Sequence, residues 1–281
     1  MAKSTSRKTP IRRKTSKKKK SGFSFKSILF FLFLIGMLFG AYHYRNALSF
    51  YFKSQSNKNN KVDKVAQARI YQILKAHKDL TFGIDVSQFQ GEINWDEVDS
   101  IENKFPIKFV FIRASAGSNK KDLRFEENWE QAKEHHFICG AYHYYRPNEN
   151  SIEQADNFIK TVTLQKVDLP PVLDIEKLPE NQSIDSLKVG LKRWLDRVDA
   201  HYSVRPIIYT GEKYYTDFLK EEFKGYTFWI ANYNFFVENI KDEWLFWQFT
   251  QKARIKGIDE NVDVNIYNGT PKMLQYLTIS N

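Results

Sequence analysis

Eight short apolar runs recur between residues 82 and 267, and the stretches separating the first six carry a helical rather than an alternating pattern. The runs cover 82–89, 108–115, 137–146, 171–177, 205–211, 227–233, 244–250 and 262–267, each short enough for one strand. Apolar positions at helical spacing occupy 95–103, 125–136, 151–165, 184–202 and 212–222, whereas the last three runs are separated by gaps too short for a full helix. This alternation predicts an α/β fold: an irregular (β/α)-barrel of five βα units followed by three strands with little helix. Right-handed crossovers make its first five strands parallel. No internal repeat and no second globular domain shows in the pattern.

Upstream of the barrel the pattern changes three times. Val62, Val65, Ala66, Arg69, Ile70, Ile73, Leu74 and His77 follow the i, i+3, i+4, i+7 spacing of an amphipathic helix, which predicts a stalk that docks on the domain. Residues 45–60 are rich in Asn, Lys and Ser and predict a mobile tether. Residues 27–44 hold no Asp, Glu, Lys or Arg, and a bilayer is crossed by about 20 apolar residues, with a range near 17–25. The chain thus divides into a basic cytoplasmic tail (1–26), a transmembrane signal anchor (27–44), a linker with amphipathic stalk (45–80) and a barrel domain (81–281). A cleaved signal peptide is the competing reading; Phe39 stands where a cleavage site wants a small residue, which favours an uncleaved anchor.

Charge supports that division. Residues 1–26 carry 11 of the 43 basic side chains and no acid, so the remaining 32 basic residues face 33 acidic ones. The net charge of +10 therefore belongs to the tail, and a basic nucleic-acid face on the barrel is disfavoured. Positive residues stay cytoplasmic, which predicts a single-pass protein of the cytoplasmic membrane with its barrel on the outer side. The one cysteine, Cys139, excludes an internal disulfide and a thiolate metal cluster, and its apolar setting reads as core packing. A monomer is expected.

Candidate chemistry begins with Leu173-Asp174-Ile175-Glu176-Lys177. In a strand, residues i and i+2 share a face, so Asp174 and Glu176 point the same way inside an apolar run. Like charges at close range raise one proton affinity and prepare a general acid. In a barrel the site lies at the C-terminal ends of the strands, which adds Asp85 and Asp263, because closure brings the first and last strands together. Four carboxylates without a histidine cluster suggest acid/base work on a glycosidic bond. Mg²⁺ or Ca²⁺ binding is the alternative, but no Gly-rich phosphate loop or acidic ligand loop accompanies them, and neither metal nor cofactor is expected. A buried, hydrogen-bonded structural carboxylate is the plain reading for each acid, and Glu176 fits it least well.

Eight ordered blocks carry a resemblance. GIDVSQFQG (83–91) with INW (93–95), FVFIRAS (109–115), GAYHYYRP (140–147), PVLDIE (171–176), IIYTG (207–211), WIANY (229–233), WQFT (247–250) and GIDENVDVN (257–265) resemble glycoside hydrolase family 25, the Chalaropsis-type lysozymes or N-acetylmuramidases, over about residues 82–268. The resemblance implies hydrolysis of the β-1,4 bond between N-acetylmuramic acid and N-acetylglucosamine, with peptidoglycan glycan strands as partner. It implies Glu176 as proton donor, Asp174 as its strand partner, Asp85 as the first-strand acid and Asp263 as the acid of the VDxN block. Burial and the nearness of Asp174 are then expected to keep Glu176 protonated, while Asp85 or Asp263 stabilises the oxocarbenium-like centre or orients the substrate acetamido group or a water. Retention and inversion remain open. Ala116 and His135-His136-Phe137 depart from the family pattern without removing a presumed catalytic group.

Sugar rings present apolar C–H faces to aromatics and hydroxyls to polar tips. Tyr142, Tyr144, Tyr209, Trp229, Tyr233, Trp247 and Gln248 fall toward the C-terminal ends of expected strands and are the candidate substrate-binding residues, although alternation turns about half of any consecutive set toward the helices. His143 reads as a packed strand histidine. Arg113 and Arg146 suit either substrate carboxylates or strand-end ion pairs. Two other functions fit less well: a non-catalytic peptidoglycan-binding wall protein, against which the four acids argue, and a chitin-active enzyme.

Overall fold

The structure, a computed structural model, describes residues 25–54 and 63–280; the expected basic tail up to residue 24 and linker residues 55–62 lie outside the described residues. The chain divides into two compact units, residues 1–45 and 46–281. The first is α1 (Phe25–His43), 19 residues with mean hydropathy 2.0 and no buried residue. At 1.5 Å per residue it is about 28 Å long, close to the roughly 30 Å hydrocarbon thickness of a bilayer. A membrane anchor and a signal sequence share this form.

The second unit opens with α2 (Arg45–Ser54), where a tether was expected. Its Ala47, Phe50 and Tyr51 are partly buried and form a short apolar face that the Asn/Lys/Ser content obscured, while Leu48 and Phe52 stay exposed. Phe50 stacks on Tyr71 with centroids 4.9 Å apart, and Lys75 donates to Asn46 Oδ1 at 2.7 Å. Tyr71 and Lys75 lie on α3 (Lys64–Ala76), which is capped by Asp63 accepting from Ala66 N at 3.0 Å and buries Ile70, Ile73 and Leu74 in the core of the globular unit.

The remaining elements are β1 (Thr81–Val86), β2 (Ser100–Ile101), β3 (Phe105–Ala116), β4 (Lys120–Lys121), α4 (Phe125–Glu134), β5 (Ile138–Tyr144), α5 (Ser151–Thr161), β6 (Val172–Asp174), α6 (Ile184–Tyr202), β7 (Ile207–Gly211), the short α7 (Glu212–Tyr214) running into a π turn, β8 (Phe228–Ala231), β9 (Phe246–Ala253), β10 (Val262–Tyr267) and α8 (Pro271–Leu277). Eight strands close in the order β1-β3-β5-β6-β7-β8-β9-β10, with β10 returning to β1. Neighbours are parallel from β1 round to β9, while β10 runs antiparallel to both β9 and β1. The first gap differs from expectation: in place of a helix over 95–103 it holds a 3-10 turn at Trp95–Glu97 and the short β2 paired with β3. Trp95, Val98 and Ile101 occur at helical spacing because all three reach the core from an irregular path.

Strand alternation sorts the core into two layers. Val110, Ile112, Trp247 and Phe249 face the helices, whereas Phe109, Phe111, Trp229, Phe246 and Tyr267 fill the barrel axis. Gly83 and Gly140 face those rings, and a Cβ on either would come within 2.4 Å of Phe109 or Phe111, so glycine makes room for the aromatic plug. The plug closes the barrel below and leaves a cavity at the opposite rim.

Candidate active site

All four predicted acids reach that rim. Asp85 is the last residue but one of β1, and Asp174 ends β6. Glu176 follows two residues later, just beyond the strand. Asp263 reaches the same level from the beginning of its strand, because β10 is antiparallel and pairs Asp263 directly with Asp85. A cavity of about 730 Å³ and a contiguous one of about 160 Å³ share Asp85, Tyr142, Asp174, Glu176 and Asp263 in their walls.

The acids differ in their surroundings. Asp85 is buried, and its Oδ2 accepts from Gln248 Nε2 at 2.7 Å and Asn265 Nδ2 at 2.8 Å. Burial nevertheless raises its pKa to about 6, those two amides and nearby Glu176 acting in opposite directions. Asp263 has no such donor among the described residues; burial and the facing Asp85 raise its pKa to about 9. Of this opposed pair, Asp263 therefore carries the proton at neutral pH, and Asp85, held by two donors, carries the charge.

Asp174 is 4% exposed, and its Oδ1 lies buried without a donor among the described residues. Burial first, then the charges of Glu176 and Asp85, push its pKa well above the carboxylate range, with Arg113 opposing. Glu176 stands exposed at the mouth, yet the protein around it displaces enough water to raise its pKa. Asp174 was expected to add to that rise. Instead the hydrogen bond between the two lowers it, because Asp174 is the more deeply buried partner and so the one that keeps the proton. Asp174 and Glu176 thus form a proton-sharing pair with its charge at the mouth.

A polar network holds the floor. Gln248 Oε1 accepts from Tyr209 OH at 2.7 Å and from Tyr233 OH, which leaves its amide to donate to Asp85. Asn265 Oδ1 accepts from Trp229 Nε1 at 2.8 Å. Trp229 also stacks on Phe111 at 4.5 Å, so with Tyr209 it forms the buried floor, while Tyr142, Tyr144 and Tyr233 keep accessible surface in the cavities. Trp247 is a correction. It faces the helices, fully buried, with Nε1 donating to Asn232 O at 3.1 Å, since β9 alternates and Gln248 takes the inward position.

Outside the acids, Arg113 and Arg146 both form ion pairs, with Asp122 at 2.7 Å and Glu149 at 3.1 Å. Arg113 also lies over the ring of Phe89 at 4.6 Å and lines the larger cavity beside the exposed Leu123. His143 is buried between Ser115 Oγ at 2.8 Å and Gln154 Oε1 at 3.2 Å, stacks on Trp194, and has its pKa lowered by burial to about 4. It is a neutral core residue. Cys139 is likewise buried, its thiol pushed up to about 12. No set of three His, Cys, Asp or Glu side chains among the described residues is arranged to hold a metal ion.

Asn265 and Asp122 were missed. Asn265 stands two residues after Asp263 on one strand, so the period-2 rule would have placed it on the same inward face. Asp122 lies in a loop and has no comparable signal.

The unpartnered repulsion at Asp263 makes a thermal prediction. Its folded pKa lies above the ordinary carboxylate value, so its contribution to stability is complete below about pH 4 and is lost as pH rises toward 9. Asp263→Asn removes that loss: Tm rises by about 3–6 °C at pH 8 and stays nearly unchanged at pH 4, measured by calorimetry. An equal gain at both values overturns the assignment.

The family model for glycosyl hydrolases family 25 matches residues 84–258. Uncharacterized protein YegX of Escherichia coli (strain K12) is 35% identical over 195 residues, covering 69% of this chain and 71% of that protein. Lysozyme M1 of Streptomyces globisporus is 33% identical over 208 residues, 68% of this chain and 69% of that one. The crystal structure of the bacterial lysozyme from Streptomyces coelicolor superposes with a TM-score of 0.62 at 30% identity, covering 70% of this chain and 96% of that one.

Proposed function

The chain belongs to glycosyl hydrolases family 25, and from that premise we propose that it is a membrane-anchored N-acetylmuramidase cleaving the β-1,4 bond between N-acetylmuramic acid and N-acetylglucosamine in peptidoglycan. The observation that carries this reading is the asymmetric placement of four carboxyl groups around one cavity. Glu176 is at the mouth and shares a proton with buried Asp174, opposite a charged Asp85 and a protonated Asp263. Glu176 delivers the shared proton to the leaving glycosidic oxygen, drawing it from Asp174 as substrate displaces water. Asp85, fixed by Gln248 and Asn265, faces the positive charge that develops on the sugar ring. Asp263 in its protonated form donates to the substrate acetamido oxygen, and Tyr142, Tyr144 and Tyr233 meet the sugar faces.

Membrane attachment rests on α1 and on the basic residues before it, which together favour a single-pass anchor with the barrel outside. One experiment tests both claims. Membranes from cells producing the full chain are solubilised in detergent, the purified protein is incubated with peptidoglycan, and the fragments are reduced and hydrolysed. The expected result is sedimentation with membranes and new muramitol. New glucosaminitol overturns the bond assignment, binding without new reducing ends favours the non-catalytic wall protein, and an active protein found entirely in the soluble fraction overturns the anchor.

A further inference from the structure

α3 lies before the residues that the family model matches, yet one of its side chains is bonded to the turn that carries Tyr233. Arg69 Nη1 donates to Phe249 O on β9 at 2.8 Å. Its Nη2 donates to Asn234 O at 2.8 Å and Val237 O at 3.2 Å, and its Nε to Phe235 O at 3.5 Å. Burial lowers the proton affinity of this guanidinium and the charge of Glu238 opposes the effect. Four carbonyls are thus gathered around one rigid fork, which suits arginine's five fixed donors and no lysine.

The carbonyls belong mostly to a turn with no strand or helix of its own, since residues 232–237 follow β8 as irregular chain. Its internal bonds are local: Asn234 N to Asn232 Oδ1, Phe236 N to Asn234 Oδ1 and Val237 N to Asn234 O. Tyr233 lies within it. The Tyr233 hydroxyl donates to Gln248 Oε1, whose amide donates to Asp85 at 2.7 Å.

We propose that Arg69 is a positioning residue for the active site: through it the helix before the barrel holds the 232–237 turn where Tyr233 reaches Gln248, and so orients the amide that binds Asp85. This inference rests on the reading of that cavity as the catalytic site. Two other fastenings of α3 do not touch the turn and serve as its contrast: Gln67 donating to Lys252 O at 2.6 Å and Lys252 pairing with Asp63 at 3.1 Å.

The test compares Arg69→Ala, Tyr233→Phe, the double variant and Gln67→Ala as full chains, at a temperature well below every Tm. Arg69→Ala and Tyr233→Phe each lower kcat on peptidoglycan by about 10- to 100-fold, and the double variant is no slower than the slower single, because both act through one hydroxyl. Gln67→Ala lowers Tm but keeps kcat. Amide hydrogen exchange in residues 232–237 rises in Arg69→Ala and not in Gln67→Ala. Unchanged kcat and exchange in Arg69→Ala, or multiplying losses in the double variant, overturn the proposal. Inactivity of the unmodified chain would instead overturn the muramidase reading, and the exchange comparison would still decide the role of Arg69.

Discussion

Glu176→Gln is expected to lower kcat on peptidoglycan by about 10³-fold or more, toward the upper part of the 10²–10⁴-fold range that a positioned general acid contributes. The substitution keeps the shape of the side chain and its place at the mouth, so it removes proton delivery and leaves the cavity walls alone. Glycan binding is expected to stay within a few-fold of normal, because Tyr142 and Tyr144 on β5, Tyr233 in the turn after β8, and the Gln248–Asp85 pair on β9 and β1 are left in place. Stability is expected to hold or increase. Glu176 adds its charge to Asp85, Asp174 and Asp263, and a neutral amide relieves all three. Turnover and Tm together make the result decisive: lost activity with a preserved Tm assigns the acid, whereas a fully active variant removes Glu176 from the mechanism.

The barrel was legible because each strand is bounded by polar turns and the helices between them keep their own period, and most of the site followed from the same rule. Asp85, Asp174 and Glu176 are readable as strand-end acids within apolar runs, where a carboxylate is costly unless it has a task. The failures have local causes. Trp247 and Gln248 are adjacent on β9, and adjacency in a strand forbids a shared face; the sequence alone offered both and the structure keeps Gln248. Residues 95–103 mimic a helical period while following a turn and a bridge, because three core contacts happen to fall at helix-like intervals. α2 was hidden by its polar neighbours. Arg69 appeared as one polar position on an amphipathic helix, and its four acceptors are carbonyls 165 or more residues away, a relation to which side-chain patterns are blind.

The proton on Asp174 makes the second large prediction, and it concerns pH as much as rate. In the unmodified protein the Asp174–Glu176 pair keeps one proton because a doubly charged pair is disfavoured by burial and by repulsion. Asp174→Asn leaves Glu176 to hold the proton alone. Its own pKa is raised by surrounding protein, but it loses the charged neighbour that resists double ionisation, and the new amide donates to its carboxylate and stabilises the charge. The active, protonated form of Glu176 therefore disappears at lower pH than in the unmodified pair. The alkaline limb of the kcat profile is expected to move toward acid, with a loss of about 10²-fold on the alkaline side of the displaced limb that narrows as pH falls. A residue that merely orients Glu176 would instead lower the whole profile and leave its limb in place, since Asn can make the same hydrogen bond. The displaced limb thus separates a proton reservoir from a scaffold, and a profile scaled down without displacement overturns the sharing of the proton.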